Sequence, residues 1–221
     1  MVRAIVFDFD GVIIDTEWSA FTIWQRVFSE HGAELTLDEF VVSIGTRGAI
    51  DFERLLSSKT GRPAPSNREL RAWKQPLQDA AVSELPLMPG VQRWLDDARV
   101  ANIPVAIASS SEHHWIAPHL HRHAIADRFS HLATWEGGHV GFPPKPAPDL
   151  YLQTLAALDV DPHAAVAIED SVNGANAATA AGMRVIAVPT RLTRELDFSM
   201  ADLVVDSLDS MTLADALEKL S

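Results

Sequence analysis

The chain opens on an unbroken apolar run, Ala4-Ile-Val-Phe7, and closes it on two acids, Asp8 and Asp10, with Gly11 directly after. A short run without polar interruption predicts a strand buried on both faces. From Glu17 to Glu30 the period changes. Trp18, Phe21, Trp24 and Phe28 recur at helical spacing, and His31-Gly32 ends the run. This aromatic stripe reads as core rather than as a cofactor cradle. Thr36-x-x-Glu39 and Ser66-x-x-Glu69 are capping boxes, each opening a further helix. A helix is expected between them around Ala49–Ser58, and Gly61-Arg-Pro-Ala-Pro65 breaks the chain. No further strand pattern occurs before Ile103. Roughly 70 helical residues are too many for a simple crossover, so they read as a small domain inserted into the main one.

The main domain resumes with a helix over Val91–Val100 and a second buried strand, Ile103-Pro-Val-Ala-Ile-Ala108, in which Pro104 is tolerable only near the start. A helix from Glu112, a weak strand near His131–Ala133 and a Gly/Pro-rich loop from Trp135 to Pro148 follow. Asp149–Leu158 is helical, Ala164–Ile168 is another apolar strand, and a small-residue helix, Gly174–Ala181, stops at Gly182. Strands at Arg184–Val188 and Leu203–Val205 and a helix capped by Thr212 complete the chain. Strands alternating with helices predict an α/β fold, a doubly wound parallel sheet with helices on both faces. The expected division is 1–15 with 88–221 for the sheet domain and 16–87 for the helical insert.

Composition narrows the function classes. The 221 residues carry a net charge of −12, which argues against nucleic-acid backbones and anionic membranes as partners. An acidic protein that handles an anion must do so with locally placed cations. The absence of cysteine excludes disulfides, thiolate catalysis and zinc–thiolate sites, and it suits a cytoplasmic protein. Neither a membrane span nor a signal peptide is expected. His113, His114, His119, His121 and His123 scatter around one helix and read as surface histidines rather than a metal site.

The acid pair carries the chemistry. Side chains at i and i+2 of an extended chain point the same way, so Asp8 and Asp10 face one place. Two like charges a few ångströms apart repel by about 4 kcal/mol at an effective dielectric of ~20, so a cation, a shared proton or a cationic side chain must offset them. The plain alternative is an Asp-Gly turn with solvated acids. In a doubly wound sheet, ligands bind beyond the carboxyl ends of the strands, and Ser109 and Glu169-Asp170 also stand at such ends.

The segments Asp8-Phe-Asp-Gly-Val-Ile-Ile-Asp-Thr-Glu17, Ile107-Ala-Ser-Ser-Ser111, Lys145-Pro-Ala-Pro-Asp149 and Ile168-Glu-Asp-Ser-Val-Asn-Gly174 occur in this order, continued by Ala177-Ala178 and Ala180-Ala-Gly-Met183. Together they resemble the haloacid dehalogenase superfamily, in its helical-cap branch with β-phosphoglucomutase and small sugar-phosphate phosphatases. The resemblance implies a Rossmann-like core with the insert as an α-helical cap. It implies that Asp8 is a nucleophile forming an aspartyl-phosphate and that Asp10 is the general acid and base. It implies Mg²⁺ held by the Asp8 carboxylate, the Asp10 carbonyl and Asp170, with Glu169 ligating or orienting. Hard oxygen ligands and phosphate suit that ion. Lys145 is expected to pair with Asp8 and the phosphoryl oxygens, and Ser109 to donate to one of them. Gly11, Thr16 and Ser110 complete the substrate-binding set in the core, Thr16 through a hydrogen bond to Asp10. Gly45 and Arg47 resemble a cap specificity loop, and Lys74 stands where relatives place a cation.

Asp10 favours phosphoryl chemistry over dehalogenation. Glu112-His113 replaces the mutase's Lys-Asn, and no histidine stands near Ala20, which favours a phosphatase over the phosphosugar mutase that is the alternative. A non-catalytic binding protein of the same fold is the third reading. The expected ligand is a small phosphorylated metabolite, and the resemblance implies a monomer.

Overall fold

A computed structural model describes residues 1–46, 48–136 and 143–220. Its centre is β1, Ala4–Phe7, flanked by β2 (Val105–Ser109) and β4 (Ala165–Glu169). With β3 (His131–Thr134), β5 (Arg184–Ala187) and β6 (Leu203–Val204) these make a six-stranded sheet of order β3-β2-β1-β4-β5-β6, parallel at every pairing. The chain therefore fills one side of β1 first and then crosses to the other. That reversal leaves a crevice at the carboxyl ends of β1, β2 and β4.

Side chains alternate between the faces with a period of two. Ile5 and Phe7, Val105 and Ile107, and Val166 and Ile168 supply one face. Ala4 and Val6, Ala106 and Ala108, and Ala165 and Ala167 supply the other. The bulky face meets α5 (Val91–Val100), α6 (His113–Arg122) and α9 (Leu213–Lys219), with Trp94 filling its centre. The alanine face takes α7 (Asp149–Leu158) and α8 (Val172–Ala180), whose Ala175, Ala177 and Ala178 let the helix approach closely. Between β1 and α5 run α1 (Thr16–Glu30), α2 (Leu37–Val41), α3 (Phe52–Thr60) and α4 (Asn67–Val82). They bury a third cluster of their own around Phe21, Trp24, Phe28, Phe40 and Phe52, in which the Trp24 and Phe52 rings stack at 3.7 Å. Leu192, from the segment after β5, is the residue of the sheet layer that enters this cluster.

Both expected capping boxes form, at Thr36/Glu39 and Ser66/Glu69. Element ends differ where a local donor or acceptor decides them. β2 begins at Val105 rather than Ile103, because Pro104 lacks an N–H; its carbonyl still accepts from the Ile5 N–H at 3.1 Å. α3 begins at Phe52 rather than Ala49, where the Asp51 side chain accepts from the Arg54 N–H. α8 begins at Val172, two residues before Gly174, because the Ser171 hydroxyl caps it.

The surface reading of the histidines holds for the exposed His113, His114 and His121 but fails for His119. That ring is buried between Phe9 and Trp115, at 5.9 and 5.3 Å. Burial, aided by the nearby Arg122, pushes its pKa down. The helix turns this imidazole inward while His113, His114 and His121 face water, and His123 at its end is half-buried with Nε2 3.1 Å from the Leu85 carbonyl.

Candidate active site

The acids and Ser109 stand at or just past the carboxyl ends of β1, β2 and β4. Asp8 extends β1 by one residue, its N–H still donating to the Ile168 carbonyl at 2.9 Å, so it is fixed by the sheet itself. Gly11 follows with φ +79°, and a Cβ there would lie 2.0 Å from Asp170 Oδ2. The turn after β1 therefore requires glycine, both for its backbone angle and for the carboxylate pressed against it.

Lys145 arrives from the loop before α7 with its side chain fully buried. Its Nζ lies 2.9 Å from Asp8 Oδ1 and 2.6 Å from Glu169 Oε1. The first is a charge contact outside hydrogen-bond angles; the second is an aligned hydrogen bond. Burial alone would lower the Lys145 pKa, but Asp8 and Glu169 more than offset it and hold the ammonium charged. The Tyr151 hydroxyl also donates to Glu169 Oε1, while the Ser171 hydroxyl reaches Oε2 at 3.3 Å. Gly174 makes room for this carboxylate, since a Cβ there would lie 2.0 Å from Oε2. Both Glu169 oxygens are thus engaged by protein donors.

Asp170 is different. Its backbone carbonyl accepts from Thr193 Oγ1 at 2.7 Å, yet both side-chain oxygens are buried without a hydrogen-bond partner among the described residues. Asp8, Glu169 and Asp170 each place a carboxylate oxygen within 4.8 Å of the others. Three buried acids face one ammonium. Burial pushes the Asp8 carboxyl up to about 7, against the pull of Lys145 and with the push of Glu169 and Asp10. Burial, then the charges of Asp8 and Glu169, lifts Asp170 well above the usual carboxylate range. A small hard cation beside Asp170 answers both the orphaned oxygens and the excess negative charge, so the donor set fits Mg²⁺.

Asp10 sits at the rim and accepts three hydrogen bonds. Thr16 Oγ1 donates to Oδ1 at 2.5 Å, as the resemblance implied, and Trp115 Nε1 donates to the same oxygen at 2.9 Å. Ser111 Oγ donates to Oδ2 at 2.5 Å. Ser109 is buried at the end of β2, where its hydroxyl accepts from the Ser111 N–H. Ser110 lines the cavity, but its hydroxyl donates to the Gly45 carbonyl at 3.1 Å and accepts from the Lys145 N–H. Gly45, at φ +79°, needs its missing Cβ, which would lie 2.1 Å from Ser171 Oγ. Ser110 and Gly45 therefore join the loop after α2 to the sheet layer. Asn173 adds a second tie, its Nδ2 donating to the Ile44 carbonyl at 2.9 Å.

A cavity of about 300 Å³ opens between these strand ends and α1–α4. Lys74 lies on its far wall, 5.6 Å from the Trp24 ring centroid, so one member of the aromatic stripe serves the cavity as well as the core. Arg71, one turn earlier on α4, lines the same wall. Glu17 is half-buried and lines the cavity, and burial, with the charge of Asp10, pushes its carboxyl up to about 8. Arg47 lies outside the described residues.

Sequence reasoning missed Ser111, Trp115, Tyr151 and Thr193. Ser111 was in plain view beside Ser109. Tyr151 and Trp115 read as ordinary apolar helix positions, and their donor atoms gave no signal of where the helix face would point.

Known proteins resemble this chain in sequence and in fold. The family described as haloacid dehalogenase-like hydrolase matches residues 5–188. The Bacillus subtilis protein YhcW is 33% identical over 100% of this chain and 99% of its own. Hexitol phosphatase B of Escherichia coli is 32% identical, covering 98% of this chain and 97% of that protein. A crystal structure of CbbY from Rhodobacter sphaeroides in complex with xylulose-(1,5)-bisphosphate superposes with a TM-score of 0.77 at 30% identity, covering 97% of this chain and 98% of that one. A β-phosphoglucomutase from Clostridium difficile shares the fold at a TM-score of 0.80 and 24% identity, over 99% and 97% of the two chains. By sequence, by fold and by its four motif segments, the chain belongs to the haloacid dehalogenase-like hydrolase family.

Proposed function

We propose that this hydrolase is a Mg²⁺-dependent phosphatase that cleaves a small phosphorylated metabolite, a sugar or sugar-alcohol phosphate, through an aspartyl-phosphate on Asp8. The observation that carries the reading is a buried Asp8 held against the Lys145 ammonium at 2.9 Å, beside an Asp170 whose two side-chain oxygens have no donor among the described residues.

In the first step an Asp8 carboxylate oxygen attacks phosphorus as the ester P–O bond breaks, and the Asp10 carboxyl gives its proton to the departing oxygen. In the second, Asp10, now a carboxylate, takes a proton from water as that water attacks the aspartyl-phosphate. The bond to Asp8 breaks and inorganic phosphate leaves. The products are the alcohol and phosphate, and both acids return to their starting states. Lys145 faces the charge that spreads over the phosphoryl oxygens. Asp8, the Asp10 carbonyl and Asp170 would hold Mg²⁺, which when bound neutralises the acid cluster and the transferring group. Glu169, with both oxygens engaged, orients Lys145 instead of ligating.

Residues 16–87 act as the cap that selects the substrate and limits water in the site. Glu17 and Gln78 give the cavity hydrogen-bonding groups for hydroxyls, and Lys74 and Arg71 give it cations. The names of the relatives, a hexitol phosphatase and a CbbY bound to a pentulose bisphosphate, support a polyhydroxylated substrate. Phosphate release from a panel of sugar and hexitol phosphates, with Mg²⁺ and after EDTA, tests the reading. Turnover is expected with Mg²⁺ alone and none for Asp8→Asn; turnover that survives both EDTA and Asp8→Asn refutes it.

A further inference from the structure

Asp10 receives donors from three residues on two parts of the chain: Thr16 close by, and the distant Ser111 and Trp115 where β2 runs into α6. Thr16 and Trp115 both donate to Oδ1, while Ser111 donates to Oδ2. An oxygen with two donors has both lone pairs occupied, so Oδ1 has no place left for a proton. Oδ2 keeps one. The hydroxyl of Ser111 can rotate to serve as donor or acceptor, whereas an indole N–H only donates. Trp115 therefore keeps one acceptor site of Oδ1 filled whichever form Asp10 takes and Thr16 takes the other, whereas Oδ2 meets only the rotatable Ser111 hydroxyl.

The indole is itself braced. Its ring stands edge-on to the buried His119 at 5.3 Å and 72°, and His119 packs in turn against Phe9, the residue between the two acids. The chain from Phe9 through His119 to Trp115 returns to Asp10, closing a ring of contacts around one carboxyl group. Ser111 is fixed at the other end, where its N–H donates to Ser109 Oγ at 3.1 Å.

We propose that Trp115 and Ser111 are positioning residues that clamp the Asp10 carboxyl so that Oδ2 is the oxygen carrying the proton to the leaving group, a role that rests on Asp10 being the acid of the reaction proposed above. A clamp of this kind removes rotation of the carboxyl about its terminal torsion, which is otherwise broad.

Leaving-group dependence tests it. The first step requires protonation of the departing phenoxide from phenyl phosphate, but p-nitrophenoxide leaves without it, and the two esters are nearly the same shape. The ratio of their kcat/KM values isolates the acid, because kcat/KM stops at the first irreversible step. Trp115→Phe and Ser111→Ala are each expected to lose about tenfold on phenyl phosphate and less than about twofold on p-nitrophenyl phosphate, with KM unchanged. Ser111→Thr, which keeps the hydroxyl, is expected to retain activity on both. Asp10→Asn provides the reference, with a selective loss of about 100-fold on phenyl phosphate. An equal loss on both esters in Trp115→Phe and Ser111→Ala, or no loss, overturns the clamp and leaves only packing. If Asp10→Asn shows no selectivity, Asp10 is not the acid and the reading beneath the clamp fails. If Asp10→Asn is selective and the other two are not, the clamp alone fails.

Discussion

Replacing Asp8 with asparagine will abolish turnover and at the same time stabilise the metal-free protein. Burial lifts the Asp8 carboxyl from its ordinary 3.8 to about 7, because the ionised form has lost its water and gained Glu169 and Asp10 as neighbours. An acid that binds its proton more tightly when folded makes stability fall as pH rises from the unfolded value toward the folded one, with a plateau above it. At 1.36 kcal/mol per pH unit the Asp8 carboxyl costs about 2 kcal/mol at pH 5, where the folded form takes up a proton, and about 4 kcal/mol at pH 8, where it is held ionised. Asparagine has the same shape and no charge, so Asp8→Asn recovers that cost, while Lys145 keeps its bond to Glu169 at 2.6 Å. Relief of the repulsion on Asp170 acts in the same direction. Urea unfolding in EDTA at pH 5 and pH 8 measures it. The variant is expected to be more stable at both, with a gap that widens by about 2–3 kcal/mol across the range and corresponds to roughly 10 °C in melting temperature at pH 8. Saturating Mg²⁺ is expected to narrow the gap at pH 8, since an ion bound at 100 times its Kd stabilises the wild type by about 2.7 kcal/mol. A variant no more stable than wild type at pH 8, or a gap that ignores pH, would refute the burial argument.

Other perturbations separate the parts of the site. Gly11→Ala drives a methyl group to within 2.0 Å of Asp170 Oδ2 at a φ of +79°, and is expected to remove activity and cost about 1–3 kcal/mol by thermal unfolding. Glu169→Gln leaves Lys145 without its second counter-charge; kcat is expected to fall about 10- to 100-fold with KM little changed, as steady-state kinetics will show. Asp170→Asn is expected to weaken Mg²⁺ at least about tenfold by calorimetric titration while the far-ultraviolet circular dichroism stays unchanged. Asn173→Ala removes the tie to the Ile44 carbonyl, worth about 1 kcal/mol, and is expected to raise KM about fivefold at constant kcat.

How much of this was legible beforehand depended on what each residue's signal was local to. The apolar run before Asp8 dictated a central strand, and the parallel topology then had to bring Ser109, Glu169 and Asp170 to the same rim, because all three end or directly follow buried strands that pair with it. Thr36 and Ser66 announced their helix starts through caps that involve only the next turn. Trp115 and His119 could not be read in this way. Their roles depend on how α6 is rotated over the sheet, which the whole bulky-face cluster sets together. Gly45 was legible as a loop glycine, but its contact with Ser171 spans the two layers of the molecule and no short-range pattern encodes it.

Three successive residues after β5 touch three different things. Arg191 pairs with Asp15 at 2.8 Å and lies over the Trp18 ring at 3.9 Å, Leu192 sits among the aromatics of α1–α3, and Thr193 holds the Asp170 carbonyl. This tripeptide belongs by sequence to the sheet layer and by contact to the helical one. Exchange of the helical segment between relatives is thus not a matter of cutting at its two chain crossings. A transplanted segment that lacks a seat for Leu192 would tug on the backbone of Asp170, and a graft that carries residues 190–193 along with the helices would keep the recipient's acid cluster in register.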